Sequence, residues 1–305
     1  MTRLFPISRR SALAGLASLG AAACVPIDTS PSGRLAARLR IIEAAAGGTL
    51  GVALYESGSG RTLAHRGDEL FAHCSSFKLS LAAMLLHHDE AGKIDAGEHV
   101  RWSAQELMSV SPFTKRRLEE GATLLELARA TQTLGDNAAA NILLKRLGGP
   151  QALTEFWRTL GDPVSRLDRY EPDLNQVPPG EVRDTTSPLA MARTLEQILH
   201  GDVLNPANAA LLMQWMSETR TGARRVRAGL PQDWQSGDKT GTSIWPGADA
   251  IYVDIGFAHV PGGARYTFAT YYRAARTHNE MDPAAEAVLA QVGGVLAEFA
   301  LSRAQ

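Results

Sequence analysis

The sequence predicts an α+β fold in which one sheet is assembled from both ends of the chain and an all-helical lobe is inserted between its halves. Three observations carry this reading. Segments rich in aromatic and β-branched residues lie near the two ends, the stretch between them reads as helices, and those helices are delimited by capping chemistry.

Taken in order, residues 33–46 place Leu35, Leu39, Ile41 and Ile42 at helical spacing and stop at Gly47-Gly48. Residues 50–55 and 62–65 predict a strand pair, with Glu56-Ser57-Gly58-Ser59-Gly60 as the turn. Helices dominate from 76 to 220, beginning with an apolar one over 79–86. Thr123 and Glu126 form a capping box, Gly148-Gly149 ends a helix, and Pro150, Pro188 and Pro206 occupy first-turn positions, the last two behind the caps Ser187 and Asn205. Strands return at 251–259 and 266–273 around Pro261-Gly262-Gly263, and a closing helix runs from Pro283, capped by Asp282, to about Leu301. The α/β lobe is therefore drawn from residues 25–73 and 222–305, and the helical lobe from 74–221, with a cleft between them. Residues 161–186 lack periodicity. The loop 166–186 within them carries Arg166, Asp168, Arg169, Glu171, Asp173, Glu181, Arg183 and Asp184, and prolines stiffen the segment at 163, 172, 178 and 179. A stiff loop of that length is functional rather than slack.

Composition narrows the function. The 305 residues hold 31 Lys+Arg against 32 Asp+Glu, a net charge of -1, so the chain lacks the general affinity of a basic protein for nucleic acid or anionic lipid. Two cysteines exclude a disulfide scaffold. Only five of the basic residues are lysines. Residues 1–24 read as an export signal: Arg3, Arg9 and Arg10 precede an unbroken run of Ala, Leu, Gly and Ser, too short to span a bilayer. Ser8-Arg9-Arg10 resembles a twin-arginine signal. Cys24 is read either as a lipoprotein attachment site or as the plain first residue after cleavage at Ala23; in neither case is it expected to pair with Cys74. The working protein is expected outside the cytoplasm, in the periplasm, as a monomer that meets the membrane only through a lipid on Cys24.

Ser75 and Lys78 stand one helical turn apart where the strand pair gives way to the apolar helix, so an amine lies beside a hydroxyl near free backbone N–H groups. Alone, this pattern is no more than a solvated pair. Lys239-Thr240-Gly241, followed by Thr242, lies on a predicted strand, where a lysine beside hydroxyls and a glycine can hold a substrate carboxylate. Between the two lies the helix break Gly135-Asp136-Asn137. The histidines are scattered, and no metal-ligand spacing, Gly-x-Ser-x-Gly elbow or phosphate-binding loop appears. No metal or cofactor is expected.

These three segments, in this order, together with Arg169-Tyr170-Glu171-Pro172-Asp173-Leu174-Asn175, Arg183-Asp184-Thr185-Thr186 and Ser111-Pro112, resemble the class A serine β-lactamases, within the larger family that includes penicillin-binding proteins. The resemblance runs from about Gly33 to the final helix. It implies a three-layer α/β/α arrangement with an antiparallel sheet and a helical lobe, and hydrolysis of the β-lactam amide of penicillins and cephalosporins. It further implies that Ser75 is the acylated nucleophile, Lys78 its activating neighbour, and Glu171 with Asn175 the group that activates the deacylating water. Backbone N–H groups of Ser75 and Thr242 would form the oxyanion hole. Asn137 would hold the substrate amide, and Lys239, Thr240, Thr242 and Arg225 would surround its carboxylate. Arg169 and Asp184 would pair across the loop neck. Glu171 also has support from its residues alone, because an acyl ester is a dead end unless a carboxylate activates water beside it.

The pattern has departures. Gly135 stands where relatives carry a Ser whose hydroxyl relays a proton to the leaving nitrogen, which implies reduced efficiency unless water, Ser76 or Thr240 takes over. Cys74 has Ser243, not Cys, at the position where carbapenem-hydrolysing relatives place its disulfide partner, so it is expected to be a buried packing residue. Val110 replaces an aromatic at the cleft entrance. The alternatives are a D-alanyl-D-alanine peptidase-like amide hydrolase and a penicillin-binding sensor that acylates without turnover.

Overall fold

A computed structural model describes residues 30–302; the export signal and Cys24 lie outside the described residues. The elements run α1 (Pro31–Ala46), β1 (Thr49–Glu56), β2 (Thr62–His65), β3 (Phe71–Ala72), α2 (Phe77–Glu90), β4 (His99–Val100), α3 (Pro112–Arg116), β5 (Ala122–Thr123), α4 (Leu124–Leu134), α5 (Asn137–Arg146), α6 (Pro150–Thr159), β6 (Thr185–Thr186), α7 (Pro188–His200), α8 (Pro206–Glu218), β7 (Gln235–Ser243), β8 (Ile251–His259), β9 (Arg265–Arg273) and α9 (Pro283–Leu301).

The main sheet has the order β2-β1-β9-β8-β7 and every neighbouring pair is antiparallel. Strands from the start of the chain thus pair with strands from its end, and β7 is left on an edge. Alternation in β1 sends Leu50, Val52 and Leu54 to one face, where they pack with Leu39 of α1 and Leu289, Val292 and Phe299 of α9. Ala53 on the opposite face joins Val253, Ile255, Phe257 and Tyr271 in a second core shared with α2, α7 and α8. A buried Leu on either face contributes roughly 1.5–3 kcal/mol, so the sheet is held from both sides. α9 is long and apolar enough to cross a membrane, but half of it is buried, packed against the sheet and α1 as expected of a core helix.

The capping signals in the sequence work as expected. Thr123 accepts from the Glu126 N–H, and Glu126 returns a bond to the Thr123 N–H. Ser187 and Asn205 cap α7 and α8 behind first-turn prolines, and Asp282 caps α9. α2 is buried without interruption from Phe77 to Leu86, Lys78 included, which makes it the central helix of the helical segment. The sequence reading puts Ser75 in the first turn of this helix; it lies instead in a short 3-10 turn, Cys74–Ser76, directly before it. Cys74 there has φ +44°, a left-handed conformation costly for a residue with a Cβ.

The segment 161–186 is anchored rather than loose. Its far end pairs with the strand before the 3-10 turn, Phe71 opposite Thr186 and Ala72 opposite Thr185. Asp184 accepts from the N–H groups of Asp168 (2.7 Å) and Arg169 (3.0 Å) and pairs with the Arg169 guanidinium at 2.5 Å. The Asp184 carbonyl accepts from the His73 N–H at 3.0 Å, so the neck of this loop is tied to the backbone two residues before Ser75.

Candidate active site

Four segments converge on Lys78. From α2 its ammonium, wholly buried, donates to Ser75 Oγ at 2.9 Å, to the Gly135 carbonyl at 3.0 Å and to Asn137 Oδ1, and lies 2.9 Å from Glu171 Oε1. Ser75 Oγ donates to the same Glu171 oxygen at 3.3 Å. One nitrogen therefore touches both the hydroxyl and the carboxylate, and a proton can pass from Ser75 to either partner without a large movement.

Glu171 is 4% exposed. Its Oε2 accepts from Asn175 Nδ2 at 2.5 Å, and Asn175 is fixed by the Ser243 hydroxyl, which donates to its carbonyl at 2.9 Å. The backbone of Glu171 is clamped at both ends by Asn141, which accepts from the Glu171 N–H at 3.0 Å and donates to the Glu171 carbonyl at 2.9 Å. Sequence reasoning missed Asn141. The available signal was its spacing: it lies four residues after Asn137, one turn along the same face of α5.

The edge strand β7 runs beside the 3-10 turn, and Gly241 makes this possible. A Cβ at that position would fall 2.8 Å from the His73 carbonyl oxygen, 2.9 Å from Cys74 Cβ and 3.0 Å from the Ser75 nitrogen. Only a residue without a side chain brings the backbone around Thr242 against that of Ser75, where two N–H groups can serve one oxyanion. Burial, with a smaller pull from the Glu171 charge, pushes the Cys74 thiol up to about 12 and keeps it inert; it is free, as the absence of a Cys at 243 requires.

On β7, Lys239 is buried and donates to the Thr240 carbonyl at 2.9 Å. Burial, then the Lys78 charge, lowers its ammonium to about 7, against the opposing pull of Asp238. Thr240 Oγ1 lies 2.6 Å from Thr221 Oγ1. Arg225 reaches the site only from behind. It is 1% exposed, and its guanidinium donates to the Gly241 and Val253 carbonyls at 2.9 and 2.7 Å and to Thr242 Oγ1 at 2.7 Å. The Thr242 hydroxyl thus stands in front of that charge. Behind the strand lie two further acids absent from the sequence reading. Burial raises Asp238 to about 6 despite its pairing with Arg227, and burial with the Asp238 charge raises Asp254 well above the usual carboxylate range.

Val110 is about half exposed, and its carbonyl accepts from the Asn137 N–H at 2.8 Å. Asp136 accounts for the middle of the helix break: it caps α5 through Ala139 N and accepts from the backbone of Phe113 and Thr114 at 2.9 Å. Gly135 closes α4 in the left-handed conformation, φ +71°, and a Cβ built there meets nothing within 4 Å. The space for a side chain exists; the backbone conformation opposes it. Gly135→Ser is expected to lower stability by about 1 kcal/mol and, by supplying a hydroxyl at this edge of the site, to raise the acylation rate about tenfold or more. Thermal melting and stopped-flow acylation measure the two effects separately. Ser76, another hydroxyl considered for that role, is fully buried.

A half-buried serine beside a buried lysine and carboxylate, between an edge strand and a helical lobe, defines a serine hydrolase. A sequence profile of the Beta-lactamase enzyme family matches residues 34–300, and the chain belongs to that family, as a class A serine β-lactamase. Among its relatives, the β-lactamase AST-1 of Nocardia asteroides is 43% identical over 269 residues, covering 85% of each chain. A β-lactamase of Mycobacterium tuberculosis is 40% identical over 278 residues, covering 88% of each. Among solved structures, an ancestral class A β-lactamase superposes with a TM-score of 0.82 at 43% identity, covering 87% of this chain and 99% of that one. A β-lactamase from Burkholderia vietnamiensis gives 0.81 at 40% identity over 88% and 96%. The expected α+β fold and hydrolytic function are those of this family.

Proposed function

We propose that hydrolysis proceeds through an acyl-enzyme on Ser75. The supporting observation is the position of the Lys78 ammonium, 2.9 Å from Ser75 Oγ and 2.9 Å from Glu171 Oε1. Ser75 Oγ attacks the lactam carbonyl carbon and gives its proton to the Lys78–Glu171 pair. The carbonyl oxygen takes negative charge against the Ser75 and Thr242 N–H groups, the C–N bond breaks, and the nitrogen leaves protonated. In the second half, Glu171, held by Asn175 and Asn141, takes a proton from water; that water adds to the ester carbon, the ester bond breaks, and Ser75 regains its proton. Asn137 and Val110 border the substrate's side-chain amide. Lys239, Thr240 and Thr242, with Arg225 behind, receive its carboxylate.

Gly135 leaves the return of a proton to the nitrogen without a side chain of its own, and the paired hydroxyls of Thr240 and Thr221, or water beside Gly135, carry that step at reduced efficiency. The enzyme works as an exported, periplasmic monomer, lipid-anchored if Cys24 is acylated. Assays of purified protein test this reading. Penicillins and a chromogenic cephalosporin are opened with turnover and D-alanyl-D-alanine peptides are left intact; a lasting adduct without turnover, or peptide cleavage alone, overturns it.

The Lys239 titration gives a signed prediction. The protonated amine holds the carboxylate, and its fraction falls as pH rises through about 7. A bound carboxylate keeps the proton on, so KM for carboxylate-bearing substrates rises above pH 7 while kcat stays nearly flat. Lys239→Arg, charged at every accessible pH, removes the slope. Steady-state kinetics against pH check both halves.

A further inference from the structure

Away from the active site, the end of α7 and the end of β8 bring two histidines together that are 59 residues apart in sequence. His200 Nε2 and His259 Nε2 face each other at 2.9 Å. The other nitrogen of His200, Nδ1, lies 2.8 Å from Glu196 Oε2 and 3.1 Å from Ser57 Oγ, and that hydroxyl itself donates to Glu196 Oε2 at 2.6 Å. A carboxylate can only accept, so the Nδ1 position carries the proton and the Nε2 of a neutral His200 presents its lone pair to His259. The His259 ring packs against Phe257, centroids 4.7 Å apart, and against His200 at 5.1 Å. His200 is almost wholly covered and held by its carboxylate, whereas His259 is partly exposed at the mouth of the β8–β9 hairpin.

We propose that this pair is a site for one divalent transition-metal ion of the zinc or copper type, held by the two Nε2 atoms and completed by water. The arrangement has the parts such a site needs: two borderline-soft nitrogens 2.9 Å apart, and a carboxylate on the far nitrogen of the inner ligand that fixes its tautomer and ring direction. The fit is close. Two nitrogens on one tetrahedral ion with bonds of about 2.0 Å lie roughly 3.3 Å apart, so the ion requires the rings to separate by a few tenths of an ångström, a shift that the partly exposed His259 can make. Among the described residues no cluster of three or more His, Cys, Asp or Glu could hold a metal, and this pair leaves coordination positions open to solvent. Such an ion belongs to neither the Ser75 site nor its chemistry. It ties α7 to β8 and, through Ser57, to the β1–β2 turn.

Titration of the full mature chain with Zn2+ at neutral pH tests this. One equivalent binds, the melting temperature rises with Zn2+, and β-lactam turnover is unchanged by the metal. His259→Gln or His200→Gln weakens binding at least about tenfold, and Glu196→Gln weakens it by about 10-fold or more through the inner ligand alone; His88→Gln changes nothing, and retained turnover shows that each variant is folded. Cu2+ electron paramagnetic resonance of the unaltered protein needs no variant and shows two imidazole nitrogens on the ion. Absence of binding, affinity that survives both histidine substitutions, or a single-nitrogen copper spectrum overturns the proposal and leaves the pair a plain N–H···N hydrogen bond.

Discussion

Glu171→Gln is expected to convert the enzyme into one that stops after a single turnover. The amide keeps the shape and the contact with Asn175 but cannot take a proton from water, so deacylation slows by about 10²–10⁴ while Ser75 still has Lys78 at 2.9 Å. A mixture with excess penicillin then shows a burst of one equivalent followed by a near-flat trace, and intact mass shows the adduct persisting. If Glu171 also serves as the base for acylation, the burst itself slows; the amplitude remains one equivalent in either case. Steady turnover at the unaltered rate contradicts the assignment of this carboxylate.

Lys78→Met carries the second large effect. The Met fills much of the same volume within α2, but removes the one group that touches Ser75, Glu171, Asn137 and the Gly135 carbonyl together. Acylation is expected to fall by about 10²–10⁴, since the Ser75 hydroxyl loses its activating neighbour and keeps only the 3.3 Å contact to Glu171. Stability falls too. A buried carboxylate that has lost its cation costs about 3–5 kcal/mol when nothing replaces the partner, although Asn175 and Ser75 remain on Glu171 and reduce that figure. Because the same change disturbs the loop carboxylate, whatever acyl-enzyme does form is expected to be long-lived. Pre-steady-state kinetics and thermal melting separate the two consequences.

The sheet was legible because its segments are rich in aromatic and β-branched residues and bounded by turn residues, and the helices because they carry local caps: Thr123 with Glu126, Ser187 with Pro188, and Asp282 with Pro283 all act within four residues of chain. That Ser75, Lys78 and Glu171 come together was legible through a resemblance in motifs and, for Glu171, through the chemical need for a base beside an acyl ester. The remaining residues escaped because their roles exist only across the fold. Spacing puts Asn141 on the same face of α5 as Asn137, but only the fold brings it to the backbone of Glu171, 30 residues away, or Ser243 to the carbonyl of Asn175, 68 residues away. Asp238 and Asp254 become unusual only once β7 and β8 are paired and covered, which leaves both carboxylates fully buried. Arg225 was expected beside the substrate carboxylate; it lies behind Thr242, bound to two backbone carbonyls, a distinction of one layer that no spacing encodes. Ser75 lies in a 3-10 turn rather than an α-helical first turn, beside the close approach of β7 at Gly241.

The central claim is that Ser75 carries the acyl group and that Glu171 removes it. Rapid quench of the unaltered enzyme during penicillin turnover, followed by peptide mapping of the acid-trapped protein, tests it most directly. The expected result is a penicilloyl mass on the peptide containing Ser75, present during turnover, gone once substrate is exhausted, and persisting long after mixing in Glu171→Gln. Turnover with no adduct at any time, or an adduct mapped to another residue, contradicts it.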